Sequence, residues 1–200
     1  MKYVALEVEL ITPEVARAIT SSVNTAYALA DQVAKEYDFL GGELNNQIRP
    51  HLRNWAVEWE LNRRATAHII PFTSSFEENI RRNHRHLELR SNGYLLTVSQ
   101  THNALELPRE CVFRNAYCLD GQMIISGMEY DVDNGRNFTY AILTHGSGFI
   151  MCGIPKPDMS GWAQLINVAE LAERFDVIEN IPADDEIKLD FRNSVMEAIK

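Results

Sequence analysis

Residues 81–102 read RRNHRHLELRSNGYLLTVSQTH and bring imidazoles and guanidinium groups together with hydroxyls and a carboxylate. Asn-Gly is the strongest short signal for a two-residue hairpin turn. A reversal at Asn92-Gly93 pairs Ser91 with Tyr94. It sets Leu89 opposite Leu96 and Leu87 opposite Val98, and turns those four side chains toward a core. The other side of the hairpin then carries His84, His86, Glu88 and Arg90, across from Thr101, Ser99, Thr97 and Leu95. Side chains two apart on a strand point the same way, so these groups form one polar ledge.

Three chemistries suit such a ledge. The first is metal binding, since His84 and His86 would point the same way with Glu88 beside them. The cupin family sets its Glu further along and adds a second motif, and this chain does neither. We therefore assign no metal ligand and no cofactor. The second is general acid–base cleavage of RNA. His84, His86, His102 and His145 are the candidate proton carriers, with Arg85, Arg90 or Arg109 to steady the phosphorane charge. The two-histidine phosphoesterases repeat His-x-Thr/Ser, whereas this chain has His84-Arg85-His86 and Thr144-His145-Gly146. The third is binding without turnover. Arg85, Glu88, Arg90, Thr97, Ser99, Arg109 and Arg114 would then hold an acidic protein or a phosphate. A solvated sheet face with no role shows the same alternation.

Elsewhere motifs are sparse. Walker, GxGxxG, GxSxG and HExxH patterns are absent, and no acid-x-Lys pair of the nuclease type stands in the β-rich middle. DVDNG (131–135) resembles the start of a calcium loop but lacks the closing Glu, so it reads as a polar turn. THGSG (144–148) reads as a hairpin turn that could also nest an anion. Pro108 suggests a strand entrance, with Arg109 paired to Glu106 or Glu110 and Arg114 on the strand that follows. If buried, Arg114 would need Asp131 or Asp133. Cys111, Cys118 and Cys152 form no CxxC pair and read as small buried hydrophobes. Trp55, Trp59 and Trp162 read as core anchors.

Charge narrows the partners. The net charge of −9 argues against a general nucleic-acid binder. Yet residues 49–114 hold ten Arg, no Lys, seven Glu and five of the six His. Arg without Lys favours planar, bidentate contacts with carboxylate or phosphate. Residues 170–200 carry nine acids against four bases, so an acidic tail could fold back on the Arg-rich middle. No apolar run is long enough for a membrane span, and MKYVALEVEL lacks the features of a signal peptide, so the cytoplasm is the expected location.

The elements that must position the ledge follow from periodicity. YVALEVEL (3–10) alternates as a strand. Thr12-Pro13-Glu14 supplies an N-cap, an N1 proline and a first-turn acid, opening a helix that ends near Gly41-Gly42. Its stripe is Val15, Ile19, Val23, Ala26, Ala30, Val33 and Tyr37. Residues 50–66 fit strand or helix, and their Ala, Glu and Arg content favours a helix with Pro50 in its first turn. Ser75 and Glu78 suggest a capping box for a short helix over SFEENIRRN. HRHLELR, YLLTVSQT, CVFRNAYCL, QMIISGMEY, NFTYAILTH and GFIMCGI then read as consecutive strands. Asp158 opens a helix through Trp162, Leu165, Ile166, Ala169 and Leu171, and Phe191, Val195 and Ile199 mark a last one.

The expected architecture is a single α+β domain over residues 1–200, an antiparallel β-meander of five to six strands packed by N- and C-terminal helices. The N-terminal part (about 12–82) is helical, the middle (about 83–155) β-rich, and the C-terminal part (about 158–200) helical and acidic. The first functional reading is a non-enzymatic interaction protein of bacterial or phage accessory type. It would be an inhibitor, an immunity or antitoxin-like factor, or an adaptor for a protein partner. The alternative is a phosphodiesterase or nuclease using the His/Arg cluster, with nucleic acid or phosphate as ligand. An enzyme requires its imidazoles and an Arg to meet in a pocket, whereas a binder requires a flat or convex face.

Overall fold

The computed structural model describes residues 6–37, 40, 45–79, 84–120 and 138–173. Among them a short turn of helix α1 (Leu6–Glu9) precedes the long helices α2 (Pro13–Glu36) and α3 (Asn45–Thr66). Three strands follow, β1 (Thr73–Glu78), β2 (Arg85–Ser91) and β3 (Tyr94–Gln100), then helix α4 (Val112–Asp120). Strands β4 (Thr139–Gly146), β5 (Phe149–Pro155) and β6 (Trp162–Asn167) and helix α5 (Val168–Glu173) complete the described chain. The six strands form one open sheet in sequence order, so the fold is α+β. No helix among the described residues is long and apolar enough to cross a membrane.

The hairpin forms where expected. Ser91 pairs with Tyr94, Leu89 with Leu96 and Glu88 with Thr97. Asn92 and Gly93 both have positive φ, 48° and 77°, the pattern of a type I′ turn whose twist matches its flanking strands. Leu87, Leu89, Leu96 and Val98 therefore face the core built under α2 and α3. Helix α2 starts as predicted: the Thr12 side chain accepts from the Val15 amide at 3.4 Å and Pro13 opens the first turn. Val15, Ile19, Val23, Ala26, Ala30 and Val33 are buried along its stripe.

Several expected elements change type. The sheet is not an antiparallel meander, because β3 and β4 run parallel, Leu95 beside Tyr140 and Thr97 beside Ile142. Parallel neighbours need a crossover, and CVFRNAYCL lies within it as α4 rather than as a strand. Phe113 and Tyr117 stand four apart, so the segment carries a helical face that alternation had disguised. TSSFEE is edge strand β1, not a capped helix, and Glu78 lies directly opposite Arg85 of β2, with which it ion-pairs. At the N-terminus, Leu6 and Leu10 fit a helical turn as well as a strand, and the amides of Leu10 and Ile11 return to the Leu6 carbonyl. Pro50 lies inside α3 rather than in its first turn, since that helix begins at Asn45. Asp158 does not cap a helix; its side chain accepts from the Ser160 amide in a tight turn. WAQLIN then pairs with β5 as β6, and among the described residues the helix spans 168–173. QMIISGMEY, DVDNG, Asp131, Asp133 and the acidic tail lie outside the described residues.

Alternation assigns the polar ledge to the sheet face away from α2 and α3. That face is not wet. Helix α4 lies over it, and Leu95, Cys118, Phe138, Tyr140, Ile142 and Met159 form a second apolar cluster there. Glu88 is fully buried and Thr97 and His86 nearly so.

Candidate functional site

A cleft of about 1030 Å³ opens between the N-terminal half of α3, the ends of β2 and β3, and the start of α4. His84 reaches it from just before β2, His86 from β2, Ser99 from β3, and His102 and Arg109 from the loop after β3. Arg114 and Phe113 enter from α4. Four residues on one side of α3, His51, Asn54, Trp55 and Glu58, form the opposite wall. Their spacing of three and four places them on a single helical stripe.

His86 occupies the inner end. It is 5% exposed, and neither ring nitrogen has a hydrogen bond. Its ring stacks on Phe113, centroids 3.9 Å apart and planes 11° from parallel. Nε2 stands 3.4 Å from Oε1 of Glu88, an ion-pair distance without hydrogen-bond geometry. Glu88 is itself fixed from two other sides. Arg90 donates to its Oε2 at 2.7 Å, and the Tyr117 hydroxyl donates to its Oε1. Burial pushes this carboxyl up, but the close approach of His86 and the bonds from Tyr117 and Arg90 outweigh it and hold it below its ordinary range. Tyr117 is pushed up, first by burial and then by Glu88, so it keeps its proton and remains a donor.

His84 is held below its ordinary value, chiefly by burial, then by the neighbouring charges of His86, Arg114 and His51. Those couplings place three imidazoles and a guanidinium within one electrostatic neighbourhood. Glu58 is moved the other way. Burial pushes its carboxyl up to about 7, against the Asn54 hydrogen bond and the Arg114 charge. Asn54 donates to Glu58 at 3.1 Å, while its own carbonyl oxygen is buried without a partner.

The arginines separate into two sets. Six of those between residues 49 and 114 are neutralised by carboxylates. Arg49 and Arg53 pair with Asp31, Arg63 and Arg64 with Glu60, Arg85 with Glu78, and Arg90 with Glu88. Among the described residues, Arg109 and Arg114 make no such pair, and both line the cleft. Arg109 does not bridge to Glu106 or Glu110, and it stands in an irregular loop rather than at a strand entrance. Arg114 lies on α4, its guanidinium 5.0 Å from the Phe113 centroid. It donates to the Arg109 carbonyl at 2.7 Å and to Ser99 Oγ at 3.2 Å. Its Nε is buried without a hydrogen bond.

The expected constellation is therefore split. His84, His86, His102, Ser99, Arg109 and Arg114 meet in the cleft. Glu88 and Arg90 stand behind His86, and Thr97 bonds the Tyr140 hydroxyl at 2.7 Å. Arg85 projects outward on its ion pair with Glu78. His145 belongs to the other sheet face, beside Gln100, where it is fully buried and its Nδ1 stands 2.9 Å from the Tyr27 hydroxyl. With no compensating charge, burial drives it down to about 3. It cannot join the other imidazoles across the sheet. THGSG turns the β4–β5 hairpin, with Gly148 at φ 86°. Trp59 and Trp162 pack against the two cores, but Trp55 is 38% exposed in the cleft instead of anchoring a core. Cys118 and Cys152 are buried, and Cys111 is half-buried at the cleft edge. The residues missed from sequence, His51, Asn54 and Glu58, had one signal, their helical spacing in PHLRNWAVE. No group of three or more His, Cys, Asp or Glu among the described residues is arranged to hold a metal ion. Comparison with protein families, with curated proteins and with solved structures finds no match to this chain.

Proposed function

We propose that this cleft binds a phosphodiester and cleaves it by acid–base catalysis, with a hydroxyl of the substrate as nucleophile. The supporting observation is the meeting in one cleft of a buried imidazole without a hydrogen bond, His86, and two arginines, Arg109 and Arg114, that make no carboxylate pair among the described residues. Arg49, Arg53, Arg63, Arg64, Arg85 and Arg90, by contrast, are each closed on a carboxylate.

The roles follow from the surroundings of each group. Glu88 beside Nε2 favours the tautomer that carries its proton there, leaving Nδ1 as the acceptor. His86 in that form removes the proton from the attacking hydroxyl. The oxygen–phosphorus bond forms while the bond to the leaving oxygen breaks. Glu58, which retains a proton to about pH 7, donates it to that leaving oxygen. Arg109 and Arg114 hold the phosphoryl oxygens as charge builds on them. His84 and His102 line the same approach. This reading is preferred to an interaction protein because the polar groups line a concave cleft rather than a flat sheet face.

The test uses 2-hydroxypropyl p-nitrophenyl phosphate, a diester with its own hydroxyl, with and without a chelator. The wild-type chain releases p-nitrophenolate in both conditions, and His86→Ala and Arg114→Ala each lose at least about 100-fold. No release above buffer, or full activity in His86→Ala, rejects the reading.

A further inference from the structure

We infer that the α3 wall of the cleft is a nucleobase subsite, so that the diester it takes is single-stranded RNA. The inference rests on the phosphodiester reading and adds the identity of the group beside the phosphate. Two features carry it. Trp55 is a large aromatic left 38% exposed on the inside of a cleft, and among the described residues its only ring neighbour is His51, 6.4 Å away and tilted by 40°. Phe113 cannot serve in its place, because His86 is stacked on it. An exposed indole beside paired arginine and histidine groups offers a face on which a base can stack.

The second feature is Asn54, the residue preceding Trp55 in α3 and lining the same wall. Its amide nitrogen is committed to Glu58, so its carbonyl oxygen remains as an acceptor, and that oxygen has no partner. An unpaired buried acceptor is costly, and an exocyclic amine on a base edge satisfies it. Inorganic phosphate or a plain alkyl diester uses neither group. The net charge of −9 fits such a local site, since it disfavours long tracts of phosphate contacts. RNA also brings its own nucleophile. The 2′-hydroxyl attacks the adjacent phosphorus, the phosphorus–O5′ bond breaks, and the products are a 2′,3′-cyclic phosphate and a free 5′-hydroxyl. The proton leaves on His86 and arrives from Glu58, so no water or further reactant enters the step.

Calorimetric titration of the full chain with an uncleavable 2′-O-methyl adenylate tetramer, with the same tetramer carrying abasic sites, and with inorganic phosphate tests the subsite. The intact tetramer should bind about 10-fold or more tightly than its abasic counterpart, the range expected for one stacked base. Trp55→Ala should erase that difference, and Trp55→Phe should retain part of it. Equal binding of intact and abasic tetramers, a tetramer no tighter than phosphate, or an undiminished preference in Trp55→Ala overturns the subsite. If the hydroxypropyl diester is nonetheless cleaved, only the subsite falls and the phosphodiesterase reading stands. If that diester is untouched, both fall.

Discussion

The imidazole of His86 lies flat on the ring of Phe113, centroids 3.9 Å apart, although one residue belongs to a strand and the other to a crossover helix. The stack fixes the plane of an otherwise unbonded ring and so fixes the direction of its nitrogens. Phe113 also lies within 5.0 Å of the Arg114 guanidinium. Replacing Phe113 with Leu keeps an apolar contact and removes the flat face. We expect kcat on the hydroxypropyl diester to fall about 10-fold, with less than about 1.5 kcal/mol lost in urea unfolding. A variant with unchanged kcat would mean that the stack does not orient the base.

Glu88 provides a sharper test, since its Oε1 stands 3.4 Å from Nε2 of that imidazole. Glu88→Gln preserves shape and can still accept from Tyr117, but it removes the charge that favours Nε2–H. We expect kcat to drop about 100-fold or more, by analogy with the loss that follows when an orienting carboxylate becomes an amide. Nitrogen-15 spectra of His86 should show the proton moving from Nε2 toward Nδ1. A large loss of activity with an unchanged tautomer would assign Glu88 a purely structural role.

The legibility of this molecule varied with the range of the interactions. The hairpin register was readable because Asn92-Gly93 is a local signal and Leu87, Leu89, Leu96 and Val98 agree with it. Helix α2 was readable from Thr12-Pro13 and its stripe. The parallel pairing of β3 with β4 was not, because nothing in either strand records which neighbour it takes. CVFRNAYCL misled for a related reason: a nine-residue amphipathic segment fits both periods until its covering role is known. The site suffered the same limit. His84 and His86 are neighbours in sequence and were found together. His51, Asn54 and Glu58 join them through tertiary packing of α3, whereas His145, an imidazole of the same chemistry, is separated from them by an entire sheet.

Glu58 ties stability to pH with a sign opposite to that of most carboxyls. Its folded value of about 7 lies above the ordinary 4.5, so the folded state holds the proton more tightly than the unfolded chain. This contribution is complete below about pH 4.5 and is lost as pH rises through about 7, amounting to about 3 kcal/mol. Glu58→Gln removes the loss. It should raise the unfolding midpoint at about pH 8 and change it little at about pH 4. In the same variant the alkaline limb of kcat/KM on an RNA dinucleotide, expected near 7 in the wild type, should vanish with much of the rate. A stability difference independent of pH would show that Glu58 ionises as an exposed carboxyl does.

His145 supplies the opposing acid limb. It is buried and neutral against Tyr27, with its value driven to about 3, below the ordinary 6.5. A depressed histidine contributes stability that is present above about pH 6.5 and is lost as pH falls toward about 3, on the order of 5 kcal/mol in all. Between about pH 6.5 and 4.5 the Glu58 gain and the His145 loss act against each other, so the wild type should change little there and weaken steeply below. His145→Gln, which can still bond the Tyr27 hydroxyl, should flatten that acid limb. Because β4 presents this residue to α2 and not to the cleft, turnover of the hydroxypropyl diester should be retained. Urea midpoints across the acid range decide the matter, and an acid limb equally steep in His145→Gln would place the proton uptake on other groups.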